Sequence, residues 1–191
     1  MIAKNWKKEI WSIPNLLSIF RILLIPVYMS IYLNADGSDD YATAGVILAL
    51  GCLTDMADGF IARRFNMITN LGKVLDPMAD KLTQLSLLVC LSARRRALKY
   101  LLVMFLIKEF WQFFAMVSAL RRGKALNGAL LSGKISTTVL FTSLGLMFVF
   151  PGLTEKTTDL MSLVCLVFLL YAFADYVRAY CGREKKIYDL E

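Results

Sequence analysis

Apolar residues in this chain come in long runs rather than in alternating or narrow one-sided stripes. A helix needs roughly 20 mostly apolar residues to cross a bilayer. Six runs approach that length: 13–33, 41–61, 71–91, 97–120, 129–150 and 159–180. Together they take up most of the chain, which leaves no room for a separate soluble domain. The expected fold is all-α and integral to a membrane, with six transmembrane helices in a single domain over 1–191. That domain comprises an N-terminal segment 1–12, a helical core 13–181 and a tail 182–191.

Composition agrees with the pattern: 58% of residues are apolar, against about half in a soluble domain. The first run follows Lys4, Lys7 and Lys8, as a signal peptide would, but it is long and lacks a small-residue cleavage site, so it reads as an uncleaved first helix. The stretch before it mixes those lysines with Ile2, Trp6, Ile10 and Trp11. It is expected to be a short amphipathic helix on the membrane surface, with a basic tail as the alternative. Cys52, Cys90, Cys165 and Cys181 show no CxxC spacing and read as small packing residues. Histidine is absent. Chemistry therefore falls to carboxylates, Lys, Arg and hydroxyls.

The net charge is +7. With both termini on one side, that side receives Lys4, Lys7 and Lys8, then Arg63, Arg64 and Lys73. It also receives Arg121, Arg122, Lys124 and Lys134, and finally Arg178, Arg183, Lys185 and Lys186. The opposite side has the acidic loop of Asp36, Asp39 and Asp40. The positive-inside rule puts both termini in the cytoplasm of a multi-pass protein of the cell (inner or plasma) membrane. Arg94, Arg95, Arg96 and Lys99 run against it, since they would face outward. Basic loops of this kind are drawn to anionic lipid headgroups, and no nucleic-acid partner is expected.

The informative stretch is Asp55-Met-Ala-Asp58-Gly59-Phe-Ile-Ala62-Arg63, followed after eight residues by Gly72-Lys-Val-Leu-Asp76-Pro-Met-Ala-Asp80. On a helix Asp55, Asp58 and Ala62 stand at i, i+3 and i+7, and Gly72, Asp76 and Asp80 at i, i+4 and i+8, so each set shares a face. A short polar turn makes the two helices antiparallel neighbours whose marked faces can meet near the membrane boundary. One Asp at mid-membrane costs about 2.5–3.5 kcal/mol on insertion scales, and like charges close together add repulsion. A packing role does not justify that cost. Arg63, Lys73 and Lys81 offset part of the charge, but an all-oxygen donor set is what hard cations such as Mg²⁺ or Mn²⁺ select. Gly59, Ala62 and Gly72 leave room beside the carboxylates for a ligand, or for close helix packing.

The pattern D-x2-D-G-x2-A-R-x8-G-x3-D-x3-D resembles the signature of the CDP-alcohol phosphotransferases at every fixed position. The resemblance extends to an early Ile13-Pro14-Asn15-Leu16-Leu17 and a later Gly133-Lys134-Ile135-Ser136-Thr137. It implies six helices around a polar cavity open to the cytoplasm, a homodimer, and transfer of a phosphatidyl-type group from a CDP-linked donor such as CDP-diacylglycerol to an alcohol, releasing CMP. By similarity Asp55, Asp58, Asp76 and Asp80 would hold two Mg²⁺ or Mn²⁺ ions, and Asp80 would accept the proton of the attacking hydroxyl. Asp58, Gly59, Ala62, Arg63 and Gly72 would bind the donor. These roles agree with metal-assisted phosphoryl chemistry and carboxylate general-base catalysis.

For the acceptor, Lys108, Arg121, Lys134 and Ser136 are the candidates. Lys108 falls within a span, where a cation suggests function, although it could pair with Glu109. The chain looks most like the branch containing phosphatidylglycerophosphate synthases and cardiolipin synthases, which use glycerol 3-phosphate and phosphatidylglycerol respectively. Glycerol 3-phosphate is the expected acceptor and phosphatidylglycerol the alternative. Ser136 stands where the first group tends to carry a lysine, and Lys108 where it carries an arginine, which Lys does not replace bidentately. A divalent-cation transporter predicts interrupted helices and inverted repeats; Pro77 beside Asp76 matches in part, but no second acidic half exists. A noncatalytic scaffold would tolerate an incomplete motif, whereas here every position is filled.

Overall fold

The protein is described by a computed structural model covering residues 12–65, 67, 69, 71–122, 124–126, 130–181 and 187–189. The expected interfacial segment lies outside these residues apart from Ser12, as do the side chains of Arg63, Lys73, Lys124 and Cys181. Among the described residues there are six helices, α1 Ile13–Leu33, α2 Ser38–Arg64, α3 Gly72–Arg94, α4 Arg96–Arg121, α5 Leu131–Val149 and α6 Glu155–Cys181. Two three-residue strands, β1 Lys124–Leu126 and β2 Ile187–Asp189, pair antiparallel with Ala125 opposite Tyr188. The segment 182–191, read from sequence as a tail, thus contributes a strand. Five helices are long and apolar enough to cross a membrane, and the chain is a multi-pass membrane protein. The sixth, α3, has 23 residues, enough to cross, but Asp76, Asp80 and Lys81 keep it outside that group.

Local signals set the helix ends. Pro14 sits in the first turn of α1, where a missing N–H costs nothing. Asn34 closes α1 by returning its side-chain amide to the Ser30 carbonyl at 2.8 Å. At the start of α2, Asp40 reaches back to the N–H groups of Asp36 and Gly37 at 3.0 and 3.3 Å, which satisfies two donors and favours the helix N-terminus.

The chain divides into two compact units, Met1–Cys90 and Leu91–Glu191. In the first, the usual rule of apolar inside and polar outside is partly inverted. Asn15, Ser18, Arg21, Asp58, Thr83, Gln84 and Ser86 are buried, while Leu23, Leu53, Met56, Phe60 and Val74 are more than half exposed. Tyr28 and Ser86 join hydroxyls in the interior. The second unit repeats the inversion: Lys108, Ser132, Ser136 and Ser162 are buried, and Phe110, Phe113, Phe114, Leu163 and Tyr171 are exposed. Apolar surface facing hydrocarbon loses nothing by exposure, and polar groups find their partners inside. α5 meets α6 at Gly133, where a Cβ would fall 2.6 Å from the Tyr176 hydroxyl, so any side chain there forces the tyrosine to shift.

Candidate active site

In the first unit, α1 brings its polar residues against the faces of α2 and α3 that carry the four aspartates. The centre is Arg21, 4% exposed. Its Nη2 donates to Asp58 Oδ2 at 3.0 Å and pairs with Asp55, and its Nη1 donates to Asp80 Oδ1 at 2.8 Å. Three carboxylates from two helices therefore converge on one guanidinium, which has donors enough to bridge them. Asp76 is tied in through Ser18, whose hydroxyl lies 2.6 Å from Asp76 Oδ1 and 3.2 Å from Asp58 Oδ2. A serine has one proton to give, and the shorter contact assigns it to Asp76.

Gly72 opens α3 beneath this cluster. Its N–H donates to Thr69 Oγ1 at 2.9 Å, and the Asn15 side-chain amide donates to the same oxygen at 3.0 Å. A Cβ on Gly72 would lie 2.8 Å from Asn15 Oδ1. The glycine lets Asn15 dock and fixes where α3 starts relative to α1, and hence where Asp76 and Asp80 point.

The carboxylates differ in access. The side chain of Asp58 is 5% exposed, those of Asp55 and Asp80 45% and 53%. Asp58 forms the floor, and Asp55 and Asp80 face outward from the cluster. One guanidinium charge cannot balance four carboxylates, so the outward pair favours a further cation. In donor chemistry the set fits a hard divalent ion, being all oxygen. Among the described residues, however, no group of three or more such side chains is disposed as a ready ligand cage: the carboxylates are gathered around Arg21.

Of the other residues expected from sequence to bind the donor, Gly59 and Ala62 are part-buried on α2. Sequence reasoning missed Ser18 and Arg21. The available signal was an arginine inside the first apolar run, with Asn15, Ser18 and Arg21 at intervals of three.

In the second unit, Lys108 is buried and donates to Glu109 at 2.8 Å, with its ammonium 5.5 Å from the Tyr176 ring centre. Tyr176 packs on Gly133, and Ser132 donates to Asp175 at 2.5 Å. Ser136, one turn beyond Ser132, is buried as well. Lys134 and Arg121 are exposed. Lys108 thus packs with Glu109 and with Tyr176, the ring that also covers Gly133, while Lys134 and Arg121 lie at the surface.

A family model described as CDP-alcohol phosphatidyltransferase matches residues 11–177, a span that includes the four aspartates and most of each unit. The chain belongs to the CDP-alcohol phosphatidyltransferase family. It is accordingly a transferase of phospholipid biosynthesis. Among curated proteins, a cardiolipin synthase (CMP-forming) of Streptomyces coelicolor is 37% identical over 60% of this chain and 54% of its own length. The match thus spans little more than half of that relative. A probable phosphatidylglycerophosphate synthase of Mycobacterium tuberculosis is 31% identical over 76% of this chain and 69% of its own. A CDP-diacylglycerol–glycerol-3-phosphate 3-phosphatidyltransferase of Aquifex aeolicus is 29% identical over 86% and 93%. The matched span includes Asp55, Asp58 and Asp80, the three carboxylates that converge on Arg21.

Proposed function

We propose that this CDP-alcohol phosphatidyltransferase moves the phosphatidyl group of CDP-diacylglycerol to glycerol 3-phosphate and releases CMP. The observation that carries the reading is the convergence of Asp55, Asp58 and Asp80 on Arg21, with Asp76 held through Ser18. Asp55, Asp58, Asp76 and Asp80 would hold Mg²⁺ or Mn²⁺, as two ions, and the metal when bound would neutralise charge on the donor's phosphoryl oxygens. Asp80, half exposed, accepts the proton of the acceptor hydroxyl. That oxygen forms the new bond to the phosphatidyl phosphorus as the pyrophosphate bond breaks and CMP leaves. Arg21 and Ser18 orient the carboxylates. Gly59 and Ala62 would line the donor site, Arg63 would hold a donor phosphate, and Gly72 serves the site by seating Asn15.

Glycerol 3-phosphate is favoured as acceptor because the Aquifex relative that carries this activity in its name matches over 93% of its length. Lys134 and Arg121, both exposed, would meet the acceptor phosphate, with Lys108 and Ser136 behind them. Phosphatidylglycerol is the second reading, favoured by the Streptomyces relative and by Ser136, which offers no charge. The same proposal includes six crossing helices around a polar cavity open to the cytoplasm, one membrane domain over 1–191, both termini cytoplasmic and a homodimer.

The test is CMP release by the purified protein with CDP-diacylglycerol and Mn²⁺ or Mg²⁺, with acceptors added one at a time and Asp80→Asn as control. Release with glycerol 3-phosphate that the substitution abolishes is expected. Release only with phosphatidylglycerol would reassign the acceptor. No release with any alcohol, from folded protein that binds metal, would sink the transfer reaction as drawn and favour a cation carrier.

A further inference from the structure

The arginine run that opposes the positive-inside pattern lines a cavity. Arg94, Arg95 and Arg96, with Glu155 and Asp159, border a space of about 690 Å³ in the second unit, a size usual for a small-ligand site. Arg95 donates to Glu155 at 2.9 Å and to the Leu153 carbonyl at 3.3 Å, so the turn before α4 is fastened to the turn before α6. Leu101, 1% exposed, and Leu163, 57% exposed, give the same cavity apolar walls. Tyr100, which also borders it, is 74% exposed, as a ring at the headgroup level of a membrane would be.

Position within the unit sets which end this is. β1 follows α4, β2 follows α6, and the two strands pair, so the C-terminal ends of α4 and α6 lie together and the cavity is at the opposite, N-terminal end. With 26 residues, α4 carries the chain about 39 Å, close to the thickness of a bilayer with its headgroups. The cavity therefore opens at the membrane face away from Arg121 and Lys134, and nothing in the transfer reaction uses it.

We propose that this cavity binds the headgroup of an anionic phospholipid. Three guanidinium groups against two carboxylates leave a positive balance for a phosphodiester, which arginine recognises by paired donors. The apolar walls suit the glycerol backbone and the first acyl carbons, a complement that a free phosphate lacks. The arginines stay on the face where loop charge is disfavoured because they form a lipid site there, not a loose basic loop.

The experiment measures lipid retention by the delipidated full chain in detergent, using native mass spectrometry with phosphatidylserine and phosphatidylcholine. Preferential retention of phosphatidylserine is expected, weakened on the order of 10- to 30-fold in R94Q/R96Q, with CMP release unchanged. Asp80→Asn should keep the lipid, which separates this site from failure of the proposed reaction. Leu163→Trp, which removes no charge, should also displace the lipid by filling the mouth, and it decides the matter if the arginine variant does not fold. Equal retention of phosphatidylcholine, undiminished retention in a folded variant, or displacement by glycerophosphoserine at the lipid's own concentration would each overturn the assignment.

Discussion

Replacing Arg21 with Gln removes the charge on which three carboxylates converge and leaves a shorter, neutral polar side chain. Asp58 decides the magnitude. Both side chains in the Arg21–Asp58 pair are 5% exposed, and removing one partner of a buried pair costs about 3–5 kcal/mol, because the other is left charged and unpaired. Asp55 and Asp80 are about half exposed, so water screens them and each adds at most about 1 kcal/mol. For a chain of this size, the Asp58 loss alone corresponds to a fall in melting temperature of about 6–20 °C. A divalent cation can replace the lost charge, since the outward carboxylates are reachable. The assay is thermal unfolding of R21Q in detergent, with chelator and with Mn²⁺. A large fall in chelator is expected, partly restored by Mn²⁺, with a smaller restoration in wild type because Arg21 already supplies a counter-charge. Arg21→Lys should fall in between, as an ammonium cannot bridge three carboxylates in one plane. A melting temperature within about 2 °C of wild type in chelator would refute the argument that Arg21 holds the cluster. Equal Mn²⁺ effects in R21Q and wild type would refute the argument that metal and guanidinium answer the same charge.

Further expectations concern packing and acceptor choice. Gly133→Ala places a methyl 2.6 Å from the Tyr176 hydroxyl and 2.8 Å from its ring, and overpacking of that kind costs about 1–3 kcal/mol; thermal unfolding should show it, with only partial relief in G133A/Y176F because the ring contact remains. Gly72→Ala drives its methyl against Asn15 Oδ1 at 2.8 Å, so CMP release should fall as α3 shifts, and Asn15→Ala in the same chain should restore part of it. Lys134→Gln should raise KM for glycerol 3-phosphate about tenfold with kcat nearly kept, a loss of roughly 1.4 kcal/mol of phosphate binding; an unchanged KM would remove Lys134 from the acceptor site.

The helices were legible because a span must be long and apolar whatever it packs against. The run 13–33 coincides with α1, and 97–120 falls one residue short of α4 at each end. α5 is shorter than its run, Leu131–Val149 against 129–150, whereas α2 and α6 run past theirs. α2 extends back to Ser38 and α6 to Glu155, since a helix continues into the headgroup region, where polar residues no longer disturb the hydropathy pattern. The β1–β2 pair was invisible: three residues carry no periodicity, and the partners are separated by two helices in sequence.

The aspartates were legible through their spacing, because helical period fixes which residues share a face. Their partners were not. Arg21 reads in sequence as one charge in a run that hydropathy classes as membrane core, and only the packing of α1 against both acidic helices gives it its role. That packing in turn depends on Gly72, whose missing side chain admits Asn15. Sequence spacing thus specifies the acidic half of the cluster, while the counter-charge comes from a third helix, docked through Asn15 to Thr69, Ser18 to Asp76 and Arg21 to Asp80. The arginines at 94–96 show the converse. As a linear pattern they run against the charge distribution expected of membrane loops, and the fold sets them at a cavity bordered on its other side by Glu155 and Asp159. A charge that breaks a statistical rule about loops is therefore best read by what the fold places across from it.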